Sequence, residues 1–191
     1  MEYNAWSDGN TPEHTTIVPF TRMLAGPLDY TPGIFNLKFE KGDKHRVYTT
    51  LAKQLALYVV LYSPLQMAAD LVENYENQPA FQFIKDVPVN WDETRVLNAE
   101  IGDFVTIARR AGNEWYVGGI TDEQSRDIKL DLDFLEANKK YRVQLYRDAE
   151  NTDYDNNPTA IAIEEINMSS MDKLEVHLKK SGGFAARIIS E

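Results

Sequence analysis

The chain has 191 residues, 43% of them hydrophobic, with 30 acidic against 20 basic side chains and a net charge of −10. That length holds one large domain or two small ones, and both halves are acidic, which excludes the basic stripe needed for a nucleic-acid backbone or an anionic membrane surface. The absence of cysteine excludes disulfides and thiolate chemistry without fixing a compartment.

Met1 to Trp6 show neither a basic nor an apolar leader region, so no targeting segment is visible. Thr11-Pro12-Glu13 predicts a helix start, with Thr as N-cap, Pro in the first turn and an acid facing the helix dipole. Ile17, Phe20 and Leu24 continue at helical spacing. Pro19 is expected to kink this helix and Gly26-Pro27 to end it. Asp29 to Phe35 then reads as a turn between short extended stretches. Leu51, Leu55, Val59 and Tyr62 predict a second helix from near Val47, and Ser63-Pro64 caps a shorter one running to Asp70. Its most apolar run, Leu55 to Tyr62, is far shorter than the ~20 residues of a membrane helix.

Past Trp91 the period changes to two. Strands are predicted over Thr94–Ala99, Phe104–Arg110, Trp115–Ile120, Asp127–Leu132, Tyr141–Arg147, Thr159–Ile166, Lys173–Leu178 and Gly183–Ile189. Turn signals such as Ala111-Gly112-Asn113 and Ser181-Gly182-Gly183 separate them, the pattern of an antiparallel sandwich. The boundary falls between Asn77 and Trp91. The class is thus α+β: a mainly helical part over residues 1–90, then a β-sandwich over 91–191. A helical part with one or two strands cannot complete an α/β sheet, so it reads as the tail of something larger.

Several short runs resemble glycoside hydrolase family 97. They are Glu2-Tyr3-Asn4-Ala5-Trp6, Pro12-Glu13-His14-Thr15-Thr16, Pro19-Phe20-Thr21-Arg22 and Gly26-Pro27-Leu28-Asp29-Tyr30-Thr31-Pro32-Gly33. Gln82 to Pro88, Val117 to Thr121 and Gly182-Gly183-Phe184-Ala185 continue the match, in order, along the chain. The resemblance implies that residues 1–90 are the end of a (β/α)8 catalytic barrel in a calcium-dependent α-glucosidase or α-galactosidase. It implies that Glu2 is the general acid and a calcium ligand, with an oligosaccharide as substrate. Cleaving a glycosidic bond needs an acid to protonate the leaving oxygen and a second carboxylate opposite. That second group and the remaining calcium ligands lie upstream in the family, so the chain alone is expected to be inactive and to hold calcium weakly. Family members are typically exported, to the periplasm or beyond.

Other residues keep two roles open. His14 could reach a sugar hydroxyl, or pack the loop that carries Glu2; Asp29 could line the active-site face, or cap its own turn. His45 and His177 read as surface residues. Asn151 to Asn157 resembles an EF-hand loop but has Asn156 at position six and Ala162 at position twelve, so a solvated hairpin loop fits better. Trp91, Trp115 and Tyr116 could form a sugar platform, although neighbours in a strand face opposite sides. The alternative to the enzyme reading is a carbohydrate-binding or domain-docking β-sandwich. The sandwich is expected to fold alone, leaving the Ile17/Phe20/Leu24 and Leu51/Leu55/Val59 faces to pack on each other, on the sandwich or on a second copy, with self-association following from any patch left exposed.

Overall fold

Eight strands follow one another from Glu93 to Ser190 in a computed structural model that describes residues 9–38 and 46–191. They are β1 (Glu93–Glu100), β2 (Phe104–Ala111), β3 (Glu114–Thr121), β4 (Arg126–Asp131), β5 (Tyr141–Asp148), β6 (Ile161–Met168), β7 (Lys173–Leu178) and β8 (Gly183–Ser190). Each coincides with a predicted strand to within two residues. Their order is β1-β2-β3-β8-β5-β6 in a six-stranded sheet and β4-β7 in a second, all antiparallel. Gly112, at φ +58, supplies the left-handed turn between β2 and β3.

Alternation along the strands sorts side chains onto two cores. Trp115 and Val117 of β3, Val143 and Leu145 of β5, and Phe184, Ala186 and Ile188 of β8 meet Ile128 and Leu130 of β4 and Leu174 and Val176 of β7. This is the sandwich core that the period of two predicts. The opposite face of the large sheet carries Val105, Ile107, Tyr116, Ile120, Tyr146 and Ala185. Ile107 and Ile161 pack on this second face, and Ile163 is exposed.

A helix covers that second face. Among the described residues, α1 spans Pro12–Ile17, α2 Leu51–Val60 and α3 Phe81–Asp86. Thr11 caps α1 by accepting from the His14 N–H, with Pro12 in the first turn, as its sequence dictates. At Pro19 the chain tightens into two 3-10 turns, Val18–Phe20 and Arg22–Ala25, and Gly26 at φ +130 ends them. The helix expected from Ser63 to Asp70 does not form. The Ser63 hydroxyl instead bonds Leu65 two residues on, making a turn.

Every residue of α2 is buried, including Lys53 and Gln54. Leu51, Leu55 and Val59 lie in one cluster with Tyr116, Tyr146 and Ala185, while Ala56 and Val60 join Val105, Ile107 and Ile120. Of the partners expected for this face, the sandwich is the one α2 takes. Of the first apolar stripe, Leu24 is exposed while Phe20 packs against the second core. Contact is close enough to require glycine. A Cβ on Gly118 would stand 2.7 Å from the Ala56 carbonyl oxygen, and one on Gly183 would stand 2.9 Å from the Lys53 Cα.

Candidate functional site

Glu2 and His45 lie outside the described residues. His14 is half-buried in α1, with its Nδ1 buried and unpartnered among the described residues. Asp29 is exposed in an extended stretch between the buried Leu28 and Tyr30. Asn10, just before α1, lies close enough to the Tyr30 phenol to act on it, which brings the two segments near each other. Burial pushes that phenol well above its usual range.

The aromatic candidates do not form a platform. Trp115 is 6% exposed, in edge contact with Phe134, and Tyr116 is 2% exposed beneath Phe83 and Trp91. Both rings belong to cores. In the Asn151–Asn157 loop the Asp153 carboxylate accepts from the Asp155 and Asn156 backbone N–H groups, so it closes a turn. His177 pairs with Asp127 on the surface. Among the described residues no group of three or more His, Asp or Glu side chains is placed to hold a metal ion.

A cluster of buried polar groups surrounds the start of α2. Thr50 caps the helix by accepting from the Lys53 N–H, and its own N–H donates to the Ser181 carbonyl. The fully buried Lys53 amine donates to the carbonyls of Pro12 (3.2 Å) and Thr121 (2.7 Å), joining α1 to the end of β3. Burial lowers its pKa to about 7, against the opposing pull of Glu123, Asp122 and Asp148. Asp148, at the end of β5, accepts from the Lys179 and Gly183 backbone N–H groups beside Thr50, and burial raises it to about 6. At the other end of α2 the buried Arg109 guanidinium donates to the Val59 carbonyl and to Thr94. One sign of this arrangement is legible in α2 itself, where Lys53 and Gln54 stand among apolar residues on every side.

A second polar assembly centres on Asp70. One oxygen accepts from the Phe35 and Asn36 backbone N–H groups, the other from the Leu71 N–H and the Asn74 side-chain amide. The Tyr75 hydroxyl accepts from the Asp70 N–H and donates to the Gly33 carbonyl. Beside it opens a cleft of about 350 Å³ lined by Phe35, Asn36, Leu51, Glu73, Asn74, Gln78 and Thr159.

A family model described as Glycosyl-hydrolase 97 C-terminal, oligomerisation, matches residues 90–189. A retaining alpha-galactosidase of Bacteroides thetaiotaomicron is 37% identical over 202 residues, covering 98% of this chain and 29% of that protein. A probable retaining alpha-galactosidase of Streptomyces bingchenggensis is 30% identical over 178 residues, covering 93% and 26% respectively. A family 97 enzyme from Pseudoalteromonas sp. strain K8, solved with panose and with acarbose, matches at a TM-score of 0.94 and 50% identity. That match covers 99% of this chain and 30% of the other. The chain thus spans about three tenths of the length of these relatives.

Proposed function

This chain belongs to glycoside hydrolase family 97, and we propose that it is the C-terminal part of an α-glycosidase acting on oligosaccharides, either α-glucosides or α-galactosides. One observation carries the reading: 50% identity and a TM-score of 0.94 across almost the whole chain to a family 97 enzyme solved with panose. On this reading residues 1–90 complete a (β/α)8 barrel whose other strands lie outside this chain. Residues 91–191 form the sandwich that supports it.

Glu2 is the general acid of the proposal, protonating the leaving glycosidic oxygen while a carboxylate from elsewhere in the barrel works on the opposite face. The spacing of those two carboxyls sets the stereochemical course, ~5–5.5 Å for retention and ~6.5–9.5 Å for inversion. Calcium goes with the whole enzyme. The described residues offer no cradle for it, so Glu2 would hold the ion together with oxygens from the rest of the barrel. His14 and Asp29, on neighbouring segments after Glu2, are the proposed sugar contacts. Export to the periplasm or beyond is part of the same proposal.

The test is a chimera in which this chain replaces the matching region of the Pseudoalteromonas enzyme. It is expected to hydrolyse a nitrophenyl α-glycoside, and Glu2→Gln is expected to slow natural oligosaccharides 10²–10⁴-fold, the usual worth of a general acid. Full activity in the Glu2→Gln chimera would end the assignment. The chain alone is expected to show no turnover.

The domain-docking reading keeps its place for the sandwich, because the matching family model is itself described by oligomerisation. On that reading residues 90–189 bring copies of the enzyme together through the outer surface of the sandwich, since α2 occupies the second face.

A further inference from the structure

We propose that the cleft between Asn36, Glu73, Asn74, Gln78 and Thr159 is a binding site for a neutral oligosaccharide, assigned by its own chemistry. Its volume, about 350 Å³, falls within the range of small-ligand sites. Its lining supplies three carboxamides, a hydroxyl and a carboxylate over an apolar base of Phe35 and Leu51. Carboxamides and carboxylates offer donors and acceptors in a plane, which suits the paired hydroxyls of a sugar. Among the described residues no cationic side chain lines the cleft, so phosphates and other anions find no counter-charge in that lining.

The polar groups are uncommitted. Among the described residues the side chains of Asn36, Glu73, Gln78 and Thr159 make no hydrogen bond or ion pair, and Asn74 spends its amide N–H on Asp70 while keeping its carbonyl oxygen. They are also held in place. Asp70 fixes the backbone at Asn36 and the side chain of Asn74 together, and the Tyr75 hydroxyl ties Asp70 to Gly33. Such preorganisation lowers the ordering cost of binding.

A second hollow that shares Gln78 is lined by Tyr75, Phe81, Gln82 and Lys85. There Tyr75 and Phe81 stack at 4.5 Å as a half-buried aromatic shelf, with the Lys85 amine 5.9 Å from the Phe81 ring centre. A sugar unit in the cleft would place the next unit over this shelf, where the apolar face of a pyranose meets an aromatic ring. The ligand class is therefore an oligomer of at least two neutral sugars. This choice of ligand rests on the proposed glycosidase reading, although the two fail on different measurements.

The experiment is a titration of the 191-residue chain with maltotriose and, separately, raffinose, followed by ¹H–¹⁵N NMR. Expected are shifts of the Asn36, Asn74 and Gln78 amides with saturation at millimolar sugar, and at least a tenfold weakening in Asn36→Ala/Gln78→Ala. Both positions bear on the cleft and neither side chain is buried, so the rest of the spectrum should stay unchanged. No shift at these amides, equal affinity in the folded double variant, or a response to an acidic oligosaccharide alone would each overturn the proposal. None of these outcomes depends on Glu2, whose test is catalytic.

Discussion

Lys53 shows what a single side chain can cost and supply. A buried amine with two carbonyl partners needs only two N–H donors, so its neutral form satisfies both Pro12 and Thr121. Its folded pKa, about 7, lies below the ordinary 10.5. The unfolded chain therefore binds the extra proton between those values, and stability rises with pH across that window, by at most about 1.4 kcal/mol per unit. Asp148 works in the opposite sense. Its folded value is raised from 3.8 to about 6, so its contribution is full in acid and is lost as pH climbs through 6. Urea midpoints against pH should separate the two. Lys53→Met is expected to flatten the rise above pH 7, and Asp148→Asn the fall between pH 4 and 6. Parallel curves for the parent and Lys53→Met from pH 7 to 10 would refute the assignment. Neither residue was legible as a partner of the other segments, because their contacts join positions far apart in the chain. Glu2 was legible only through family resemblance, since one carboxylate near a chain end carries no local signal.

At the scale of elements, the strands were the most legible part. Period-two alternation and glycine-bearing turns are local, and β1 to β8 follow them closely. The helical part was less so. α3 and the 3-10 turns are too short to show a periodicity, and Ser63 diverts a helix-like stretch into a turn through its own hydroxyl. The choice of partner for α2 was hidden as well, because its signal is a pair of glycines, one inside β3 and one at the start of β8, that read only as turn or strand residues. Gly118→Val is expected to push the Ala56–Val60 stretch of α2 off the sheet and cost about 1–3 kcal/mol, by urea or thermal unfolding. Leu55→Ala, buried in the same contact, is expected to cost about 2–5 kcal/mol. A Gly118→Val protein as stable as the parent would show that the approach of helix to sheet is looser than described. The docking also bears on the expected independence of the sandwich. Cut before Trp91, it would expose Val105, Ile107, Tyr116 and Ile120, so the excised domain should bind a hydrophobic dye more strongly than the joined chain.

Across the whole molecule, the large exposed apolar side chains include Leu24, Leu65, Met67, Leu71 and Val72 in the first half. On the reading that a longer barrel covers this side, the chain alone is expected to self-associate. Sedimentation velocity should detect it, and Leu65→Glu/Leu71→Glu should return the monomer. Unchanged association in that variant would move the contact to the sandwich. The approach of Gly118 and Gly183 to α2 has a bearing on how such a protein can be rearranged. A backbone meeting a backbone leaves no side chain whose exchange could fit a foreign helix to this sheet. Any transplant that keeps the sheet closed must therefore carry its own helix with it. The smallest portable unit begins with the Thr50 cap of α2, some forty residues before the first strand.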